Sequence, residues 1–274
     1  MVRSLWSAAT GMNAQQTNVD TIANNLSNVN TVGYKSQVAQ FKSLLYQTLQ
    51  SPATTANGDP KPTNSQVGLG VRTSSINNLH SQGARIASHS PSAVAIDGAG
   101  FFGIRNASGE TVYTRNGDFT WAINAAGNLM LSTSEGYPVM GTNNAPIVLT
   151  GITGIVSSDI VIDGNGRILY PRADGEMVLT NFRIGVWQFA NVGGLERIGS
   201  SLFAVTDASG AALNEATTAN LRRSSLHQGY LEGANVYVAD EMVNLIVAQR
   251  AYELNSRAIT TSDEMMQTAN SLKR

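Results

Sequence analysis

The sequence has 274 residues, with 18 basic and 19 acidic side chains, no cysteine, and only 14% charged residues. This length allows one large domain or two modest ones, each with a sizeable core. A net charge of −1 argues against a nucleic-acid-binding protein, which needs a basic surface to displace phosphate counterions. The lack of cysteine excludes disulfide scaffolds, thiolate zinc sites, iron–sulfur clusters and thiol nucleophiles.

The low charged fraction is the most unusual feature of the composition, since a typical globular domain has about 25% charged residues. A weakly charged surface has little self-repulsion, which favours close association between chains. Met1–Thr10 lacks the apolar segment of a secretory signal, and no run approaches the ~18 apolar residues of a membrane span. If the protein is exported, we therefore expect a route without a cleaved signal peptide and without membrane insertion.

Residues 1–35 predict a long N-terminal helix followed by a short loop. Apolar residues recur every seven positions, which is typical of a coiled-coil surface. The predicted interface residues of this helix are Leu5, Met12, Val19, Ile22, Leu26 and Val29. Asp20 is the only charged residue between Ser4 and Tyr34, whereas a solvent-facing helix normally carries a charged face. We therefore expect this helix to be stable inside a crowded assembly.

The middle of the chain changes character twice. Residues 36–91 predict an extended arm, with a loop rich in proline and glycine beginning at Ser51. Residues 92–225 predict an all-β domain, because short apolar runs such as Phe101–Ile104 and Phe119–Ile123 alternate with glycine and asparagine turns. The strand spacing suits a barrel or a sandwich.

Residues 226–274 predict a linker followed by a second long helix with a similar seven-residue repeat, in which Asp240 lies near the N-cap. Its predicted interface residues are Val238, Met242, Leu245, Tyr252, Ile259 and Met266. The predicted fold class is therefore α+β, with long terminal helices that pair in a coiled-coil-like layer and an all-β middle domain.

The few motifs that suggest chemistry each lack an essential part. Gly98–Gly103 fits a dinucleotide-binding pattern, but turn residues follow where that site needs a helix. Asp163–Gly166 begins like a calcium loop without its later ligands, so a hairpin turn is the better interpretation. His80, His89 and His227 form no metal-binding motif, and we expect them at a surface or an interface. We therefore predict no catalytic residue, no cofactor and no metal site. A β-rich secreted adhesin and a secreted carbohydrate-active enzyme stay as alternatives from other classes.

Both ends of the chain resemble the bacterial flagellar rod and hook proteins. The N-terminal resemblance covers Ser7–Gln16 and Ile22–Lys35, and includes Asn24, Asn25, Asn28, Thr31, Gly33, Tyr34 and Lys35. The C-terminal resemblance covers Gln228–Val236 and continues into the last helix, and includes Gly229, Tyr230, Glu232, Asn235 and Val236. The length and segments such as Phe41–Thr48 resemble the distal-rod branch of this family, with another rod or hook subunit as the alternative.

The resemblance implies a structural subunit and not an enzyme. Such a subunit leaves through the flagellar export apparatus without a cleaved signal and polymerises into a hollow, rigid drive shaft that crosses the periplasm. The terminal helices would form its inner layer and the β domain its outer layer, and torque would pass from the motor to the hook. The implied partners are further copies of the chain, proximal rod subunits, hook protein, the surrounding ring (bushing) proteins, the export apparatus and a rod cap.

The resemblance also implies a role for the proline- and glycine-rich loop, because a loop wedged between subunits would block their sliding and stiffen the rod. The candidate residues for this stiffening are Ser51, Pro52, Gly58, Pro60 and Pro62.

Overall fold

The computed structural model describes residues 2–50, 65–150, 157–171, 177–219 and 221–272. The chain divides into two compact units, each built from segments that are not adjacent in sequence. Unit 1 comprises Met1–Ser27, Gln37–Asn78 and Tyr237–Arg274, and unit 2 comprises Asn28–Ser36 and Leu79–Val236. The candidate stiffening residues between Ser51 and Pro62 lie outside the described residues.

Unit 1 contains both long helices and two antiparallel β-ribbons. Its elements are α1 (Val2–Ser27), β1 (Gln37–Ser43), β2 (Tyr46–Gln50), β3 (Ser65–Gly68), β4 (Val71–Asn78) and α2 (Val238–Ser271). In the described part of the chain, neither helix has the apolar run that crossing a lipid bilayer requires. The predicted α+β class, with helices at both ends of a β-rich chain, is confirmed.

Helices α1 and α2 pack against each other in antiparallel orientation. Three contacts define their register: Ser4 with Ser262, Gly11 with Asn255, and Asn25 with Glu241. The contacts are spaced by seven and then fourteen residues on both helices, so the predicted seven-residue period is present. On α1, however, the line of contact lies one residue before the predicted apolar row that contains Leu5 and Met12.

Small and polar residues at this contact line bring the two helices close together. A β-carbon on Gly11 would lie 3.0 Å from the side-chain amide of Asn255, and Ala8 and Ala14 of α1 are buried together with Ala248 of α2. Ser4 and Ser262 share a hydrogen bond of 3.3 Å between their hydroxyl groups. The larger apolar side chains of the predicted repeat therefore flank the contact line.

The hydroxyl side chains of α1 are satisfied mainly within the helix itself. The hydroxyls of Thr17, Thr21 and Ser27 each donate to the carbonyl four residues earlier, at 3.0, 2.7 and 2.8 Å. This back-bonding explains how a helix with so few charges can accommodate threonine and serine. In α2, Asp240 and Glu241 lie in the first turn, where negative charge is favourable to the helix dipole. Tyr237 is the residue at the N-cap position.

The two ribbons of unit 1 pair β1 with β4 and β2 with β3, both antiparallel. The first pairing is interrupted by a bulge at Gln40 and Phe41. In the second, Gln50 at the end of β2 pairs with Ser65 at the start of β3, and residues 51–64 lie between them in sequence. An isolated two-stranded ribbon is marginally stable in water, which makes β2–β3 dependent on further contacts.

Unit 2 is built from short antiparallel strands, as the sequence predicts. These strands are β5 (Arg85–Ala87), β6 (Val94–Asp97), β7 (Phe101–Arg105), β8 (Thr111–Thr114), β9 (Phe119–Ile123), β10 (Leu129–Thr133), β11 (Val148–Leu149), β12 (Val161–Ile162), β13 (Arg167–Pro171), β14 (Met177–Arg183), β15 (Val186–Gln188), β16 (Glu196–Gly199), β17 (Leu202–Ala204), β18 (Leu213–Asn214), β19 (Ser225–Gln228) and β20 (Tyr230–Glu232).

Within the described residues, the main sheet of unit 2 has the order β16-β17-β8-β7-β15-β18. Two three-stranded sheets have the orders β11-β10-β9 and β12-β13-β14, and β19 pairs with β6 while β20 pairs with β5. The last two pairings bring the end of unit 2 back against its beginning. The strands just before α2 therefore pair with strands that lie about 130 residues or more earlier in the sequence.

Two apolar clusters form the core of unit 2. The first surrounds Phe102 and Phe119, whose rings meet edge to face with centroids 4.9 Å apart. The second surrounds Phe101 and Trp187, on the opposite side of strand β7 from Phe102. The alternation of Phe101 and Phe102 between two cores explains why this strand is apolar on both faces.

The two glycine motifs are turns, in agreement with the sequence prediction. Residues 163–166 link β12 to β13, and the Gly166 amide donates to the Asp163 carbonyl at 2.7 Å. Gly166 has a φ of +78°, which glycine adopts without strain. Gly98–Gly103 leads from a bend into strand β7, and no helix follows within this described segment.

Candidate functional site

The two ends of the chain carry the residues that resemble the flagellar rod and hook proteins, called here the family-like residues. Several of them surround one buried carboxylate in unit 2, that of Glu232. Lys35 donates to Glu232 Oε1 at 2.6 Å, and Arg115 donates to Oε2 at 3.1 Å. The backbone amide of Gly83 adds a third bond at 3.0 Å. The side chains of Lys35 and Glu232 are fully buried, and Arg115 is nearly so. We refer to Lys35, Arg115 and Glu232 as the ionic cluster.

Further bonds satisfy most polar atoms of the ionic cluster, as a buried charge requires, although Arg115 Nε has no partner among the described residues. Lys35 also donates to the carbonyl of Ser81 at 2.7 Å, and Arg115 donates to the carbonyl of Gly98 at 2.7 Å. The Arg115 guanidinium lies 4.9 Å from the ring centre of Phe101. Burial lowers the pKa of Lys35, and the charge of Glu232 opposes that shift.

Backbone bonds tie the same two segments together around the cluster. The Gly33 amide donates to the Glu232 carbonyl at 2.8 Å, and the Ser36 amide donates to Asn235 Oδ1 at 2.7 Å. Asn235 in turn donates to the carbonyl of Leu79 at 2.8 Å. The segment that follows α1 in the chain is therefore bonded to the segment that precedes α2.

Gly33 is required at its position for two separate reasons. Its φ is +68°, and a β-carbon there would lie 2.5 Å from the backbone nitrogen of Asn116. The neighbouring Tyr34 is buried, with the Arg197 guanidinium 4.8 Å from its ring centre. Of the residues in the resemblance, Gly33, Tyr34, Lys35, Glu232 and Asn235 thus share one structural task.

The other family-like residues have different surroundings. In unit 1, Asn25 is buried, and its amide group exchanges two 2.8 Å bonds with the backbone of Gln37 while also donating to Glu241 at 3.0 Å. Burial raises the pKa of Glu241. Asn24, Thr31 and Tyr230 are exposed, and Asn28, Gly229 and Val236 are partly buried.

His80 differs from the expectation that all three histidines lie at a surface or an interface. Its ring packs against Phe101 and Phe203, with centroid distances of 5.9 and 5.5 Å. Both ring nitrogens are buried, and neither has a hydrogen-bond partner among the described residues. Burial, together with the positive charges of Lys35, Arg115 and Arg197, lowers the pKa of His80 to about 4.

The second candidate region is the outer surface of the helix pair in unit 1. Of the predicted interface residues, Ile22 is buried, while Val238, Met242 and Tyr252 are exposed. The remaining members are partly buried, namely Leu5, Met12, Val19, Leu26, Val29, Leu245, Ile259 and Met266. Val29 lies beyond the end of α1 and belongs to unit 2.

The exposed face of α2 is more apolar than its seven-residue repeat indicated. Val243, Ile246, Val247 and Leu254 join Met242 as exposed apolar side chains. Another such set is formed by Tyr46, Leu49 and Val67 of the β2–β3 ribbon together with Leu45, which directly precedes β2. Single exposed apolar residues are normal, but contiguous ones mark interaction surfaces.

Arg115 and His80 are the residues of this site that the sequence did not predict as functional. Arg115 lies in a turn signal of the β domain, and its partner Glu232 is more than 100 residues away, so no local pattern connects them. In the part of the chain that the structure describes, no group of three histidine, aspartate or glutamate residues could hold a metal ion.

Comparison with known protein families matches three parts of the chain. Residues 5–35 match the flagella basal body rod protein family, and residues 95–178 match the flagellar hook protein FlgE/F/G D1 domain. Residues 227–272 match the flagellar basal body rod FlgEFG protein C-terminal family.

Similar proteins cover the full length. The chain is 41% identical to the flagellar basal-body rod protein FlgG of Agrobacterium fabrum over 96% of this chain and 97% of that protein. It is 40% identical to FlgG of Borreliella burgdorferi over the whole of both chains. The chain belongs to the flagellar basal-body rod protein family. The predicted resemblance is confirmed, and the identity to the flagellar hook-basal body complex protein FlhP of Bacillus subtilis is lower, at 33% over both full lengths.

Removing the carboxylate charge of the ionic cluster in this rod protein should destabilise unit 2 strongly. We expect Glu232→Gln to lower the free energy of unfolding by about 3–5 kcal/mol, because it leaves two buried cations without their counterion. Lys35→Met should cost less, since Glu232 keeps Arg115. Urea unfolding of the full chain, followed by tryptophan fluorescence, measures both.

The matched control is Arg85→Met, which breaks the exposed Arg85–Asp97 ion pair of 3.0 Å. Such an exposed pair contributes about 0–1 kcal/mol. Equal losses for Glu232→Gln and Arg85→Met would contradict the role of the ionic cluster.

His80 should make the stability of the rod protein decrease in mild acid. The unfolded histidine binds a proton near pH 6.5, whereas the folded one resists protonation until about pH 4. The contribution of the neutral, buried His80 side chain to the stability of the fold is therefore complete above pH 6.5 and decreases as the pH falls towards 4. His80→Phe keeps the ring packing and removes the titration, so urea midpoints between pH 7.5 and 4.5 should fall less than in the natural protein. His89→Asn, at an exposed position, is the control, and a pH profile unchanged by His80→Phe would disprove this assignment.

Proposed function

We propose that this rod protein polymerises through its terminal helices into a hollow shaft that transmits torque from the flagellar motor to the hook. Its family membership identifies it as a structural subunit of the flagellar basal-body rod. The observation that supports the proposed mode of assembly is the exposed apolar face of α2, from Met242 to Leu254. A soluble monomer gains nothing from exposing such a face, whereas a polymer covers it.

In this proposal the helix pair forms the inner layer of the shaft and the β-rich middle forms the outer layer. The predicted interface residues on both helices pack against neighbouring copies, and the β2–β3 ribbon, together with Leu45 just before it, adds a second contact through Tyr46 and Leu49. An interface between two different patches of the same chain does not close on itself, so it generates a helical polymer. The weakly charged surface favours this close packing.

The proposed partners and location follow from the same role. The rod continues from proximal rod subunits and ends at the hook protein, and ring proteins surround it as a bushing. The subunits reach the growing tip through the flagellar export apparatus, beneath a rod cap and without a cleaved signal peptide. The rod crosses the periplasm, and the role is structural and not catalytic.

A charge on the apolar face of α2 tests the proposed assembly. Ile246 is 54% exposed, so Ile246→Asp should leave the helicity and solubility of the monomer unchanged. In a polymer the same carboxylate would be buried without a partner, and sedimentation assays should show loss of assembly.

Ile123→Asp is the matched control, because Ile123 is 74% exposed on strand β9 of unit 2. We expect this control to polymerise like the natural protein. Normal filaments from Ile246→Asp would contradict the proposed inner-layer role of α2.

We also propose that residues 51–64 stiffen the rod, with Ser51, Pro52, Gly58, Pro60 and Pro62 as the candidate residues. Gln50 and Ser65 are paired partners, so an Asn-Gly turn can replace residues 51–64 and close the β2–β3 ribbon. This variant should still polymerise but give filaments with a shorter persistence length in electron micrographs. Straight filaments as stiff as those of the natural protein would refute the proposed role of the loop.

A further inference from the structure

A groove lies along the helix pair of unit 1 beside its line of contact. It is lined by Gln16 and Val19 of α1 and by Gln249, Tyr252 and Glu253 of α2, and its volume is about 400 Å³. In the register of the two helices, it lies between the Gly11–Asn255 contact and the Asn25–Glu241 contact. A cavity of about 150 Å³ already binds benzene, so this groove has room for a larger aromatic group.

The chemistry of the lining is mixed in a particular way. Val19 and the ring of Tyr252 supply apolar surface, while Gln16, Gln249 and Glu253 supply oxygen atoms that accept hydrogen bonds. Glu253 Oε2 already accepts one from Arg250 at 2.8 Å, and its second oxygen atom can accept another. Such a lining suits a large aromatic group that carries a single hydrogen-bond donor. Tryptophan matches this description, because its indole has a wide apolar face and one N–H group.

Outside the groove, the exposed aromatic side chains with a donor among the described residues of unit 1 are Trp6, Tyr46 and Tyr237. Trp6, 63% exposed on α1, has the largest ring and is the one whose polar group only donates. It cannot reach the groove of its own chain, because thirteen residues separate it from Val19, or about 20 Å along the helix. Around the helix axis, the directions of Val19 and Trp6 differ by about 140°. Trp6 and the groove therefore face different neighbours.

We propose that Trp6 of one copy inserts into the Gln16–Val19–Tyr252 groove of the next copy. Each chain then carries one knob and one groove on different sides of the same helix pair, so every added copy presents a new knob or a new groove. Buried tryptophans seated in preformed pockets are frequent hot spots of protein–protein interfaces. This inference rests on the proposed function, since it names the contact through which copies join.

Variants of the knob and of the groove test the contact. Trp6→Ala removes the knob, and Val19→Trp fills the groove. Gln249→Trp fills the groove from the other helix in case Val19→Trp disturbs the fold. Each variant alone should raise the critical concentration for polymerisation at least tenfold, while circular dichroism of the monomer is unchanged. Ile123→Ala, an exposed apolar truncation in unit 2, is the control and should polymerise normally.

Mixing the variants separates a specific contact from general damage. Trp6→Ala keeps an intact groove and Val19→Trp keeps an intact knob, so an equimolar mixture should form one-to-one pairs that do not extend. Analytical ultracentrifugation detects these pairs. Absence of pairs in the mixture, or polymerisation of Trp6→Ala at the natural concentration, would overturn the knob-and-groove contact. Failure of the natural chain to polymerise would instead overturn the proposed function itself.

Discussion

The arrangement of the chain within unit 2 depends most on the contacts of one buried carboxylate, that of Glu232. It binds Lys35 from the segment after α1, Arg115 from the β domain and the Gly83 amide from the start of unit 2. Burying three charges is costly, and an apolar cluster of equal volume would often be as stable. What the charges add is selectivity, because a carboxylate that needs two cations and an amide accepts only one alignment of these segments. The segments that adjoin the two helices along the chain are thereby held at fixed positions within unit 2.

The buried charges of unit 2 and the exposed apolar surfaces of the helices in unit 1 therefore have separate tasks. The strongest ionic contacts are buried inside unit 2, where they fix the connecting segments. Helix α1 carries few charges, and its hydroxyl groups bond back to its own carbonyls, as Thr21 does at 2.7 Å. The exposed part of α2 also carries Arg250 and Glu253, whose charges are paired with each other at 2.8 Å.

The sequence predicted those features that depend on local periodicity. The two long helices, the short strands with their glycine turns, and the seven-residue spacing are all visible in runs of fewer than forty residues. The register of the helix pair was not predictable to the residue, because small side chains at Ser4, Gly11 and Ser262 decide it and the apolar row was the stronger signal. The ionic cluster was likewise visible only as a set of family-like residues. Its third member, Arg115, is joined to Glu232 by tertiary structure alone, and the same holds for the burial of His80 against Phe203.

The small, polar contact line between the helices has a consequence for assembly. The residues of the contact line itself, such as Ser4 and Gly11, have little apolar surface to contribute. The larger apolar side chains, from Leu5 to Met12 on α1 and from Met242 to Leu254 on α2, flank that line or face outward. In the proposed polymer, further apolar area that compensates for ordering these long segments is buried between copies. In that polymer, the ordering of these apolar side chains and the addition of each copy are therefore coupled.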